Sequence, residues 1–208
     1  EVSGEDLVVF AASSLTDVFW ELEKAFEMAY PEVNVVLNFA SSSTLRTQIE
    51  QGALADVFMS ANEFQMERAE QSDVIQGPPN VFATNLLTVI TPAGGGSVNE
   101  ISDLGNSNIL LLLAGTNVPV GAYSHEAIHK MDVSGRFGEN FGRRVLARVA
   151  SHEPNVRAVI GKIVLGEADA GFVYITDLTP DVVDRVRAIP IPHEFNVVAR
   201  YFFATVKD

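Results

Sequence analysis

Two clusters of small hydroxyl residues, Ser13-Ser14 and Ser41-Ser42-Ser43-Thr44, each stand between a short apolar run and a stretch with helical spacing. Residues 7–12 and 33–40 have the length and composition of buried strands. After the first cluster, Leu15, Val18, Phe19, Leu22, Ala25, Phe26 and Ala29 fall on one predicted, buried helix face. The first backbone N–H groups of a helix have no internal partner and carry the positive end of its dipole. An anion can be held there without a formal positive charge. The same serines also suit plain N-caps, with Asp17 completing a capping-box-like pair at the first helix. Capping is the commoner use of a single such serine. Recurrence of the device is what favours the anion.

Two further helix starts repeat the theme, at Val118-Pro119-Val120-Gly121 and at Pro154-Asn155-Val156. None of the four turns contributes a Lys, and the nearby cation is Arg157. It either neutralises a bound anion or forms a salt bridge on its helix's first turn. A different chemistry is written at His125-Glu126-Ala127-Ile128-His129, a literal His-Glu-x-x-His. On a helix, two histidines four residues apart could bind zinc with the Glu as base, and Glu153 as a third ligand would make a metallohydrolase. Tyr123, Ala127, Ile128 and Met131 form the apolar face of that helix, which turns His125, Glu126 and His129 toward solvent. A catalytic zinc needs a cleft and supporting hydrogen bonds, and the neighbouring sequence supplies neither. A serine hydrolase is weaker still, for want of a Gly-x-Ser-x-Gly elbow.

Composition narrows the classes. A net charge of −13 with 14 Lys plus Arg argues against nucleic acid as a partner. The absence of cysteine excludes thiol catalysis, disulfides and Cys-ligated metals. No apolar run approaches the roughly 20 residues that span a bilayer. Residues 1–6 are mostly polar and show no signal peptide, so the expectation is a cytosolic chain or one whose export signal has been removed.

These turns need a frame. Strand-length runs at 7–12, 33–40 and 56–61 alternate with helical stretches at 15–29, 45–50 and 63–71, which predicts a parallel sheet with right-handed crossovers. Gly77-Pro78-Pro79 reads as the end of that block. A long strand at 82–91 leads into a second βα block: strands at 109–114, 170–174 and 183–189, helices at 121–131, 137–149 and 156–165, then a return strand at 195–206. The expected organisation is α/β in two lobes, residues 1–84 plus 200–208 and residues 85–199. In open α/β sheets ligands sit at the carboxyl ends of the strands, so facing lobes would aim all four helix starts at one cleft.

The residues that carry a specific resemblance are Phe10-Ala11-Ala12-Ser13-Ser14-Leu15-Thr16-Asp17 and Phe39-Ala40-Ser41-Ser42-Ser43-Thr44-Leu45. Gln48-Ile49-Glu50-Gln51-Gly52-Ala53, Ala55-Asp56-Val57-Phe58, Val118-Pro119-Val120-Gly121-Ala122-Tyr123, Asn155-Val156-Arg157 and Gly171-Phe172-Val173-Tyr174 extend it in order. Together they resemble the periplasmic molybdate- and tungstate-binding proteins of ABC importers. The resemblance implies a type II periplasmic-binding-protein fold, each lobe a mainly parallel sheet flanked by helices, with two crossover strands as hinge. It also implies a monomeric, extracytoplasmic solute-binding protein that closes on molybdate or tungstate and delivers it to a membrane permease, with no cofactor. Carried over by position, Ser14 and Ser42 would donate hydroxyl and backbone N–H groups, Val120 and Val156 backbone N–H groups, and Tyr174 its phenol. Three departures stand out. Phe202 follows the return-strand Tyr where the family usually has Pro, and neither the family's further C-terminal helix after Asp208 nor a lipid-anchor or signal segment is expected.

Such a donor set suits a tetrahedral dianion. Each bond to an ionised acceptor is worth about 1.5–3 kcal/mol net, so about seven would exceed the roughly 8–12 kcal/mol of micromolar to nanomolar binding. A cavity of donors alone rejects hydrogen phosphate, whose proton would find no acceptor. Molybdate and sulfate are both fully ionised, so cavity size must separate them. Molybdate and tungstate are nearly the same size and are not told apart by sequence.

Overall fold

The computed structural model describes residues 5–207. The chain divides into two compact units, Glu1–Thr84 with Arg200–Asp208, and Asn85–Ala199. It is α/β throughout, each unit a sheet flanked by helices.

In the first unit, β1 (Glu5–Ala12), β2 (Val33–Ala40) and β3 (Val57–Ser60) run parallel in the order β2-β1-β3, and β9 (Val198–Val206) joins antiparallel to β3. Pleating sends alternate side chains to opposite faces. Phe10 and Phe58 pack on Leu45, Ile49 and Met66 of α2 (Ser42–Glu50) and α3 (Glu63–Gln71). Gly52, at φ +90°, lies just beyond the end of α2, as the sequence predicts for a C-terminal stop. On the opposite face, Leu7, Val9, Val35, Leu37, Val57 and Met59 meet α1 (Thr16–Ala29). The expectation of a buried α1 face fails. No residue of α1 is buried, and Val18, Leu22 and Phe26 are exposed. The apolar stripe exists, but it borders an open cavity of about 440 Å³ rather than a closed core.

The chain leaves this unit within β4 (Ile75–Pro92) and returns at the start of β9. Gly77-Pro78-Pro79 does not end the block as expected but lies inside β4, with Gly77 at φ +72°. Proline is tolerated in a strand where its missing N–H is not needed by a neighbour.

In the second unit, β5 (Leu111–Ala114) lies between β6 (Val149–Glu153) and β7 (Ala170–Tyr174), parallel to both, and β4 pairs antiparallel with β7 and with β8 (Val186–Pro190). The helices are α4 (Pro119–Val133), α5 (Phe141–Leu146) and α6 (Val156–Val164). The single helix expected over 137–149 is instead the short α5 followed by strand β6. The strand expected at 183–189 starts only at Val186, and the one expected at 195–206 starts at Val198.

Candidate functional site

In the first unit the carboxyl ends of three adjacent parallel strands carry the candidate groups. Ser14 follows β1 in a single 3-10 turn, Ser13–Leu15, which precedes α1. The residues at the two cap positions, Ala12 and Leu15, make no side-chain cap hydrogen bond, and Asp17 lies in the first turn of α1. The Thr16 hydroxyl instead donates to the Ser13 carbonyl at 2.7 Å. At β2 the division of labour is clear. Ser41 is the N-cap of α2, its Oγ accepting the Thr44 N–H at 3.2 Å, which leaves Ser42 as the first helical residue and not a cap.

The oxygens of Ser14 and Ser42 are both already accepting. The Ala61 N–H donates to Ser42 Oγ at 2.9 Å, and the Tyr201 hydroxyl donates to Ser14 Oγ at 3.0 Å. Ala61 lies in the turn after β3, fixed by Ser60 Oγ donating to the Asn62 carbonyl at 2.7 Å and by Asn62 capping α3. Tyr201 stands on β9 one residue before Phe202, which is opposite Ser60 at the carboxyl end of β3. It is 2% exposed, its ring edge-on to Phe82.

The second unit repeats the arrangement at the carboxyl ends of β5, β6 and β7. After β5, the Val118 N–H donates to the Gly115 carbonyl at 2.9 Å, and Pro119 opens α4 with Val120 next. Gly121 is required here: a Cβ would sit 2.1 Å from the Gly115 carbonyl oxygen and 2.5 Å from that of Ala114. After β6, Asn155 caps α6 by accepting the Ala158 N–H at 3.0 Å, so Val156 is its first residue. The side chains of Val120 and Val156 are both buried at 2% exposure, which leaves their backbones as the polar groups at these starts. In an α-helix the first N–H groups have no carbonyl to pair with. Tyr174 ends β7 fully buried, and its N–H donates to Asp177 Oδ2 at 2.9 Å.

Arg157 adds to the field that lowers the Asp181 carboxyl, after the Thr179 hydroxyl and the Asp181 backbone. Lys162 bonds the buried Glu153 at 2.8 Å, and its ammonium is raised first by that bond.

The sequence matches the model for bacterial extracellular solute-binding proteins over residues 7–208. It is 33% identical over 202 residues to the molybdate-binding protein ModA of Mycobacterium tuberculosis, covering 97% of this chain and 72% of that one. The chain belongs to the ModA family of extracellular solute-binding proteins. ModA of Escherichia coli is 31% identical over 179 residues, covering 82% of this chain and 66% of that one. Among solved structures, the periplasmic molybdate-binding protein of Azotobacter vinelandii superposes with a TM-score of 0.80 at 19% identity, covering 97% of this chain and 86% of that one. The sulfate-binding protein SubI of M. tuberculosis gives 0.83 at 14% identity, covering 97% and 76%, a likeness of fold alone.

A ModA-family protein is a solute-binding component, not an enzyme, and the zinc hydrolase reading loses its support. Glu126 pairs with Lys130 at 3.1 Å, and Glu153 with Lys162. His129 is exposed, while His125 is half-buried with its Nε2 inside and no hydrogen-bond partner. Burial, then the nearby His152, holds the His125 imidazole below its ordinary value. Among the described residues no three His, Asp or Glu side chains gather as a metal site. No helix of the described residues is long and apolar enough to cross a membrane. The sequence reading missed Ala61 and Tyr201. Tyr201 is separated from Ser14 by 187 residues, and its one local sign is a hydroxyl-bearing aromatic in a strand that continues with Phe202 and Phe203.

Proposed function

We propose that this protein captures molybdate or tungstate outside the cytoplasm and hands it to the permease of an ABC importer, acting as a monomer. Ser14 and Ser42 supply hydroxyl and backbone donors from one unit; Val120 and Val156 supply backbone N–H groups and Tyr174 its phenol from the other. The observation that carries this reading is the state of the two serines. Each oxygen already accepts a hydrogen bond, Ser14 from Tyr201 and Ser42 from Ala61, so one lone pair of each is occupied and each hydroxyl hydrogen points elsewhere, available to donate. A fully ionised oxyanion is the ligand class that only accepts.

Calorimetric titration with molybdate, tungstate, sulfate and phosphate tests it. Molybdate and tungstate should bind at micromolar affinity or tighter, and phosphate should not compete. Ser42→Ala removes one donor to an ionised acceptor and should weaken binding by about 1.5–3 kcal/mol, some ten- to a hundred-fold. An unchanged isotherm for Ser42→Ala, or no heat with either metal oxyanion, would refute the assignment.

A further inference from the structure

The two serines are locked by different kinds of donor. Ser42 Oγ receives a backbone N–H, which cannot become an acceptor. The Ser42 hydroxyl hydrogen must therefore point away from that bond. Ser14 Oγ receives a side-chain hydroxyl, that of Tyr201. A phenol, with an ordinary pKa near 10, is a better donor than an aliphatic alcohol, so the proton runs from Tyr201 to Ser14. We propose that Tyr201 is a positioning residue that occupies one lone pair of Ser14 Oγ and turns its hydroxyl hydrogen toward the ligand, and so helps the protein reject oxyanions that carry a proton.

This rests on the assignment of Ser14 as a ligand. Without the Tyr201 hydroxyl, Ser14 Oγ could turn either its hydrogen or a lone pair to the ligand. A protonated oxyanion such as hydrogen phosphate would then find an acceptor for its P–OH group. Tyr201 is well placed to act in this way: the residue is 2% exposed, and its ring is held edge-on by Phe82 at a centroid separation of 6.1 Å. The aromatic ring packs whether or not the hydroxyl is there, so the oxygen is separable from the fold.

Tyr201→Phe isolates that oxygen. Wild type, Tyr201→Phe, Ser14→Ala and the double variant are titrated with molybdate, and with phosphate in competition, at pH 8 where phosphate is mainly hydrogen phosphate. Thermal melts verify that each variant is folded. In Tyr201→Phe the preference for molybdate over hydrogen phosphate should shrink by ten-fold or more, while the same substitution in the Ser14→Ala background leaves that preference unmoved. A loss of affinity that is equal for both anions, or no change, overturns the positioning role while leaving the site intact, provided that Ser14→Ala itself weakens molybdate binding. If Ser14→Ala binds molybdate as wild type does, the assignment of Ser14 fails and the role of Tyr201 falls with it.

Discussion

Ser41 and Ser42 are neighbours of the same type, yet geometry gives them unrelated work. Ser41 satisfies the start of α2, and Ser42 is held by Ala61 from the next turn. The sequence marks the cluster as a helix start of some kind but does not say which serine is the cap, because that depends on where the first helical φ/ψ falls. His125 is a second case of one side chain whose surroundings decide its role. Its motif reads as a zinc ligand, whereas its place is an imidazole with one nitrogen buried beside His152. Its folded pKa lies below the unfolded value of 6.5. Above pH 6.5 both states are neutral there and nothing is lost. As pH falls through 6.5 the unfolded chain takes up a proton that the folded one resists, so stability falls. Urea unfolding at pH 7.5 and 5.5 should show a larger loss for wild type than for His125→Gln. Equal losses would mean that burial of this imidazole does not matter to the fold.

At the scale of elements, what is legible follows from pattern strength. The apolar runs of β1, β2, β5 and β7 and the capped starts of α2 and α6 stand out because core burial and cap chemistry act locally. β6 is hidden, since Val149-Ala150-Ser151-His152-Glu153 shows no apolar alternation: Ala150 and His152 face outward, while the charged Glu153 is buried beside β5. Strand β4 reads too short because its prolines look like punctuation, and α1 reads as buried because an apolar stripe says nothing about whether anything covers it. The candidate site is legible as far as its helix starts, but the groups that orient it, Ala61 and Tyr201, come from distant segments. The positioning of those starts can be tested by two substitutions. Asn155→Ala removes the cap of α6 and should cost about 1 kcal/mol of stability, with a small loss of oxyanion affinity as the Val156 amide loosens. Gly121→Ala forces a methyl group onto two backbone carbonyl oxygens. Overpacking of this kind costs about 1–3 kcal/mol, and here it must also shift the start of α4, so molybdate affinity should fall more steeply than for Asn155→Ala. Denaturant midpoints and calorimetry on the two variants give both readings, and a Gly121→Ala protein that binds normally would show that the Val120 amide is not a ligand.

For the molecule as a whole, the acidic surface works against its proposed cargo. With a net charge of −13, the protein repels a dianion at long range while short-range neutral donors hold it. The two effects separate by salt. Debye screening shortens from about 30 Å at 0.01 M to about 8 Å at 0.15 M, so added salt should suppress the repulsion but leave hydrogen bonds made at contact distance nearly unchanged. The association rate of molybdate should therefore rise several-fold across that range while the dissociation rate stays level, and affinity should tighten accordingly. Most anion-binding sites built from lysine and arginine respond in the opposite sense. Stopped-flow measurement in sodium chloride, repeated with Arg157→Gln, makes the comparison direct. A rate that falls with salt in wild type but rises in Arg157→Gln would assign Arg157 a steering role and contradict a site that works by neutral donors alone. The same rising slope in both proteins would place Arg157 with Asp181, away from the ligand's path.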